Sequence, residues 1–384
     1  MGHGLARKKN GEIAMAYTGP TPWHRLGHDL PADAPIEAWA EKAGYTFKVL
    51  PRKVWFHAER DTAPIEYPDR MILVPSDDTS SPFAIVSSDY KVVQPADVMA
   101  FFREICEKHH FKMTTAGFLH NRRVAWAQAE IGAESAVADP RDTVKGKLLL
   151  STSFDGSLPT SGRFVAERVV CANTIAIALA EHGGTVAKIR HKTEFSVEDM
   201  LKRLGIGTVE AGFRKTMEQF RKLAETPWSH SAMLYNTFEL FRPGTILKLD
   251  TEQVYKSTSD ERSPISHVLR LCVSDAQCIG ADMAGASGTA WRWVNAVTQY
   301  VDHQAARTQD ARLASAWMGK GAEVKTKALE LAMASADATP VPLAIASEVA
   351  QAGGQSGKDW IASLTAPRDA SKSDAPPAGD DDAF

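Results

Sequence analysis

Arg122, Arg123 and Trp126 stand within one short stretch, and Lys145, Lys147, Phe154, Arg163, Arg168, Lys188, Arg190, His191 and Lys192 follow before the chain is half read. A single-stranded polynucleotide needs such a set, with cations along its phosphates and aromatic or planar groups on which bases stack. From Val144 to Lys192 there are seven Lys/Arg against three Asp/Glu, a local basic patch. These residues are therefore expected to line a DNA-binding groove. Taken singly, each cation is more often an ordinary solvated charge and Trp126 an ordinary core residue; the clustering favours binding.

Other chemistries find less support. No GxxxxGK[ST] phosphate loop occurs, because Gly319-Lys320-Gly321 lacks the spacing and a preceding strand, and HExxH and CxxC are absent. Asp302 and His303, with His267 or Asp89, offer an acid/base or metal arrangement, although packing on a helix is the favoured reading. His24 and His28 have helical i, i+4 spacing, but Pro20, Pro22 and Gly27 argue against a helix there. No catalytic residue, metal site or cofactor is expected.

Bulk composition is permissive. The 384 residues are 44% hydrophobic, enough for a large core and more than one domain. The formal charge of −3 equals that of residues 366–384, where Arg368 and Lys372 face Asp369, Asp374, Asp380, Asp381 and Asp382, so the body is balanced. Any nucleic-acid site must then be a local patch. Cys106, Cys171, Cys272 and Cys278 have no paired metal spacing and suit a reducing compartment. With no early apolar run, a cytoplasmic protein with no membrane partner is expected.

The elements that would position the basic set begin after an irregular arm, 1–35, anchored by Trp23. A short helix is expected over Ile36–Ala43. Strands are expected over Tyr45–Val49, Lys53–His57, Met71–Val74 and Phe83–Ser87, bounded by prolines. Gln94-Pro95 should open a helix whose apolar face is Val98, Phe101, Phe102 and Ile105. Two strands joined near His120-Asn121 and a third at Leu148–Leu150 come next, then a turn at Asp155-Gly156. Arg163–Glu181 reads as a long buried helix, with Arg163, Glu167, Thr174 and Glu181 on one stripe and Gly183-Gly184 ending it. Arg168 and Asn173 lie off that stripe, as structural pins or as site residues, and the pin is favoured for Arg168.

From Phe195 the chain turns helical, with a seam at Phe213, Met217 and Phe220. Residues 226–266 have no clear pattern. A long helix is expected from Trp291 to Met318 and a last one over Glu323–Ala334. The expected fold is thus α+β: helix, three-stranded antiparallel β-meander and long buried helix as core, a mostly helical C-terminal half, and a disordered acidic tail. Expected domains are the arm 1–35, an α+β core 36–195, a helical region 196–337 and a disordered linker with an acidic tip 338–384.

Four fragments carry a resemblance: Pro22–Gly27 (PWHRLG), Asp89–Pro95 (DYKVVQP), Arg168–Thr174 (RVVCANT), and Gly288–Trp291 with Asn295–His303 (GTAW, NAVTQYVDH). They resemble a family of phage- and plasmid-borne proteins that carries a domain-of-unknown-function label, number 932, which implies a mobile-element setting and no particular chemistry. The end, Pro376–Phe384 (PPAGDDDAF), resembles the acidic tip of bacterial and some phage single-stranded-DNA-binding proteins. That likeness implies recruitment of replication or recombination enzymes through Asp380, Asp381, Asp382 and Phe384; a solubilising tail is the alternative. The element order is also similar to that of the single-strand annealing recombinases of phages and eukaryotes, a similarity of topology alone. The expectation that follows is a single-stranded-DNA-binding, strand-annealing protein of a phage or plasmid, assembled as a homo-oligomeric ring or filament. A non-catalytic structural or regulatory protein of the same element is the alternative, and a metal-dependent nuclease ranks third.

Overall fold

The computed structural model describes residues 5–8, 10–19, 26–60, 62–177, 186–306 and 308–337. The expected tail, with Asp380–Phe384, lies outside them, as do Trp23, His24 and Gly183-Gly184. The strands are β1 Met15–Tyr17, β2 His28–Asp29, β3 Val49–Phe56, β4 Ile65–Pro75, β5 Ala84–Ser87, β6 Lys112–Leu119, β7 Val124–Ala136, β8 Thr143–Ser153, β9 Thr160–Arg168, β10 Asn173–Ala176 and β11 Ala187–Ile189. The α-helices are α1 Ile36–Ala43, α2 Pro95–His109, α3 Val197–Leu204, α4 Val209–Glu225, α5 His230–Phe241, α6 Thr251–Ser259, α7 Pro264–Val273, α8 Ala290–Gln299, α9 Gln309–Met318 and α10 Lys320–Asp337. The chain is α+β, as its pattern predicts.

It divides into two compact units that interleave along the sequence rather than parting at one point near residue 195. The first holds residues 1–133, 145–165 and 177–213, and the second 134–144, 166–176 and 214–384. β7, β8 and β9 contribute residues to both.

In the first unit β9, β8, β7, β6, β1 and β2 are neighbours in that order, with β11 paired to β9. β6 and β7 are antiparallel. Hydroxyl pairs Ser151–Ser161 at 3.0 Å and Thr152–Thr160 at 2.7 Å show that β8 and β9 are antiparallel as well. Part of the N-terminal arm is therefore sheet: β1 pairs with β6 through Ala16 and Ala116, and β2 runs parallel to β1. The expectation of a wholly irregular arm is corrected by that pairing. α2 begins with Pro95 at its first turn and a reciprocal cap between Gln94 and Asp97. Gln94 also exchanges two hydrogen bonds with the Val49 backbone, at 2.9 and 3.0 Å, which fixes the helix start against β3. Val98, Phe101, Phe102 and Ile105 are buried, as the helical spacing predicts. A smaller antiparallel sheet, β3-β4-β5, completes the unit.

The long buried helix expected over Arg163–Glu181 is replaced, as far as Ile177, by β9, a turn with Ala172 at φ 52°, and β10. Phe164, Val165, Val169, Val170, Thr174 and Ile175 are residues that favour strands. β9 is buried at nearly every position. A strand covered on both faces loses the alternation that would distinguish it from a buried helix.

The second unit is built around α8, whose ten residues are all buried. The single helix expected from Trp291 to Met318 is broken. α8 passes into a π-helical turn at Tyr300–Gln304, Ala306 takes φ 65°, and α9 restarts behind a Thr308 cap. Leu234, Phe238, Ile246, Val254, Ile265 and Leu269 form a core joining α5, α6 and α7, in the region whose sequence has no clear pattern.

Candidate nucleic-acid interface

β6 and β7 are joined by His120–Arg123, and His120, Asn121 and Arg122 all have positive φ, at 51°, 53° and 68°. A left-handed residue with a side chain costs about 1–2 kcal/mol, less for Asn, and no glycine relieves this turn. Such a conformation persists only where the surroundings enforce it. Here the Arg122 guanidinium donates two parallel hydrogen bonds to Asp77, Nη1 to Oδ2 at 2.7 Å and Nη2 to Oδ1 at 3.0 Å. It also lies 4.5 Å over the ring of Phe47. The same hydrogen bonding holds the Asp77 carboxyl below the usual carboxylate range. Arg122 is buried in this clamp, whereas Arg123 next to it is exposed. The Arg123 carbonyl accepts from the Phe154 amide at 2.7 Å, tying this turn to the end of β8.

The β8–β9 turn, with Gly156 at φ 76°, stands at the same end of the strands. Tyr90 donates its hydroxyl to the Ser153 carbonyl at 2.9 Å and stacks on His191 with ring centroids 4.4 Å apart. His191 sets its two ring nitrogens 3.0 Å from the carbonyls of Leu158 and Lys91. Only an imidazolium donates to both. Burial disfavours that cation more than the two carbonyls favour it, and the His191 pKa lies below the usual histidine value. His191 is thus a neutral brace at pH 7 and not one of the cations.

The cations around this brace are on the surface. β11 pairs with β9 through Lys188 and Ser161, and Ala187, Ile189 and His191 point inward. Lys188 in β11, and Arg190 and Lys192 in the turn that follows it, closed by the Thr193 amide on the Arg190 carbonyl at 3.0 Å, are exposed. Lys91 is exposed beside them. Lys192 meets Asp89 at 3.4 Å and Lys91 meets Glu194 at 3.5 Å, both in solvent, where such pairs contribute little and a phosphate can displace the carboxylate.

The structure thus brings Arg123, Lys188, Arg190 and Lys192 to one end of the first unit, with Arg122, His191 and the Phe154 backbone as supports. The other expected groove residues are elsewhere. Trp126 and Phe154 have their rings in the core, where Phe154 stacks with Phe83 at 5.5 Å. Lys147 and Arg163 are buried in the sheet, and Lys145 is half-buried and paired with Glu130 at 3.3 Å. Arg168 belongs to the second unit. Each is expected on charge or ring type, which does not report burial: Trp126, Lys147, Phe154, Arg163 and Arg168 are buried, and Lys145 is held by a carboxylate. Tyr90, Lys91 and Asp77 were missed. The first two lie in the DYKVVQP fragment, but nothing local marks Asp77 as the partner of a residue 45 positions away.

The RVVCANT fragment meets the α8 segment inside the second unit. Arg168 clamps the fully buried Asp142, Nε to Oδ1 at 2.5 Å and Nη2 to Oδ2 at 3.0 Å, and the Trp291 indole donates to the same carboxylate at 3.1 Å. Asn173 donates to Thr298 at 3.0 Å, and His303 Nε2 lies 2.8 Å from the Cys171 carbonyl. Asp302 accepts from Lys325 at 2.6 Å and from the Thr174 amide at 2.9 Å. Arg168 and Asn173 are pins. The catalytic arrangement considered for Asp302 and His303 is not assembled: His267 bonds Gln304 at 3.2 Å, and the Asp302 carboxylate is consumed by its ion pair. Burial pushes the Cys171 thiol up to about 12, which leaves it protonated and unreactive. Among the described residues no three His, Cys, Asp or Glu are grouped to hold a metal ion.

No helix among the described residues is long and apolar enough to cross a membrane. Comparison with curated proteins and with solved structures finds no match. One family's sequence model does match, over residues 82–317, which include the DYKVVQP, RVVCANT, GTAW and NAVTQYVDH fragments. With more than half of its length inside that match, the chain belongs to the family described as Domain of unknown function (DUF932).

Proposed function

We propose that this chain is a cytoplasmic, non-catalytic protein of a phage or plasmid that binds single-stranded DNA without sequence preference and promotes strand annealing. The observation that carries the reading is the braced end of the first unit: a left-handed turn clamped by Arg122 and Asp77 presents Arg123, and Lys188, Arg190 and Lys192 are exposed in and after β11, whose partner β9 begins at the same end of the sheet. Exposed cations of this kind bind phosphates, and they read backbone rather than base. The acidic tip then serves to recruit replication or recombination enzymes.

The test is binding of a fluorescent oligonucleotide across a salt series. Single-strand binding should weaken with a log–log slope of about −0.7 per neutralised phosphate. Arg123→Ala with Arg190→Ala should flatten that slope by about one to two contacts. Wild-type protein that ignores the oligonucleotide at low salt refutes the proposal, and an unchanged slope in the variant refutes the site.

A further inference from the structure

The cations at the braced end of the first unit are of two kinds. Among the described residues, Arg123, Lys188 and Arg190 are exposed with no carboxylate at ion-pair distance. Lys91 and Lys192 each have one, and the two pairs are reciprocal. Asp89 and Lys91 on one segment face Lys192 and Glu194 on the other, Lys192 to Asp89 at 3.4 Å and Lys91 to Glu194 at 3.5 Å. Between the pairs the segments are stitched together: the Lys91 amide donates to the His191 carbonyl at 2.5 Å, a His191 ring nitrogen lies 3.0 Å from the Lys91 carbonyl, and the Tyr90 and His191 rings stack. The Ser87 hydroxyl donates to the Asp89 carboxylate and aims it. Exposed ion pairs add little to stability, so these two contribute little to holding the fold.

We propose that Asp89 and Glu194 are competitors of the DNA backbone, which occupy Lys91 and Lys192 until a phosphate displaces them and so keep a bound strand exchangeable. The inference rests on the proposed single-stranded-DNA site and assigns its regulation. Its physical basis is the exposure of the two carboxylates. Glu194 is 84% exposed and Asp89 56%, so each returns to water when displaced and no buried charge is left behind. The Arg122–Asp77 pair is of the other sort: its guanidinium is buried, and breaking it strands a desolvated charge. A displaced carboxylate also stays on its own segment, within the Debye length of about 8 Å at physiological salt, and continues to repel the strand. Arg123, Lys188 and Arg190 therefore make the standing contacts, while Lys91 and Lys192 engage phosphates against their own carboxylates. Contacts of the second sort are surrendered one at a time, which lets a strand shift and test partners without leaving the protein.

The test is a mutant cycle on the full chain, read as affinity for a fluorescent oligonucleotide over a salt series. Asp89→Asn with Glu194→Gln should tighten binding by about two- to fivefold per carboxylate, the range of an exposed ion pair. The salt slope should steepen by up to about 0.7 per carboxylate, because no displaced carboxylate then takes up a salt cation. In a Lys91→Ala, Lys192→Ala background most of that gain should be lost. Glu59→Gln with Glu107→Gln removes the same charge from exposed positions elsewhere on the first unit and should change affinity by less than about twofold. If circular dichroism shows the Asp89, Glu194 variant to be unfolded, Glu194→Gln alone replaces it and should give its single share. Wild type that ignores the oligonucleotide overturns the DNA site and this inference with it. Wild type that binds, with a variant that binds no more tightly, overturns the inference alone. A variant that binds more weakly overturns it too and makes the carboxylates positioning residues for the lysines. A gain matched by the Glu59, Glu107 control, or kept without the two lysines, overturns it as an effect of net charge.

Discussion

Arg122 and Arg123 are adjacent and carry the same charge, yet the structure gives them opposite jobs, and alanine at each separates the two. Arg122→Ala removes two charge-assisted hydrogen bonds to Asp77 and the contact over Phe47. Hydrogen bonds to a charged group contribute about 1.5–3 kcal/mol, and a partly desolvated cation–π contact about 1 kcal/mol. Asp77 keeps 35% of its side chain in water and recovers part of its solvation when the partner leaves, which discounts the sum. A loss of about 2–3 kcal/mol follows. The turn also loses what enforces its left-handed residues, so Arg123 is no longer held in place. Arg123→Ala removes an exposed side chain and should change stability by less than about 0.5 kcal/mol. The assay is urea unfolding followed by near-ultraviolet circular dichroism, with midpoints compared at constant m. In parallel, the oligonucleotide salt slope should change for Arg123→Ala. Equal midpoints for Arg122→Ala and wild type would refute the clamp, and an Arg123→Ala variant as unstable as Arg122→Ala would refute the division of labour.

Two other outcomes rest on buried groups. The folded His191 pKa is depressed, chiefly by burial, so below about pH 6.5 the unfolded chain takes up a proton that the folded chain resists. Stability should therefore fall as pH drops below about 6.5, and more steeply than in His191→Gln; unfolding curves of the two that stay parallel from pH 7 to pH 5 would contradict this. In the second unit, Lys325→Met leaves the Asp302 carboxylate, 5% exposed, with the Thr174 amide as its remaining donor. Breaking one side of such a pair costs about 3–5 kcal/mol, and adding Asp302→Asn should restore part of it; a double variant no more stable than the single one would show that the pair is not what holds α10 to β10.

Much of the architecture was legible because local chemistry and tertiary structure agree. α1 falls on Ile36–Ala43 and α2 opens at Pro95, since cap, proline and apolar spacing all point the same way. The β6–β7 hairpin bends at His120-Asn121, where the polar residues interrupt two apolar runs. Legibility ended where burial is complete. Arg163–Ile177 is mostly apolar, and Arg163, Glu167 and Thr174 fit a helical stripe that only Arg168 and Asn173 leave, so a buried strand pair reads as a helix. The break after Gln299 was illegible for another reason: Asp302 and His303 leave the α-helical path to bond residues of β10 and the turn before it, over 120 positions earlier.

The same limit explains the candidate site. Charge in a sequence reports that a cation exists, and only strand pairing decides whether it meets a phosphate or a carboxylate. Arg168 and Arg190 look alike in the chain, but Asp142 has captured the first while the second, just past β11, is exposed. A buried arginine in a bidentate pair cannot be spared for a ligand, because leaving its carboxylate alone would cost more than one phosphate contact returns. The supports and the contacts must therefore be different residues, as Arg122 and Arg123 are. The expected set of cations thus mixes residues that face solvent, Arg123, Lys188, Arg190 and Lys192, with residues that burial or a carboxylate has taken, Lys147, Arg163 and Arg168 among them.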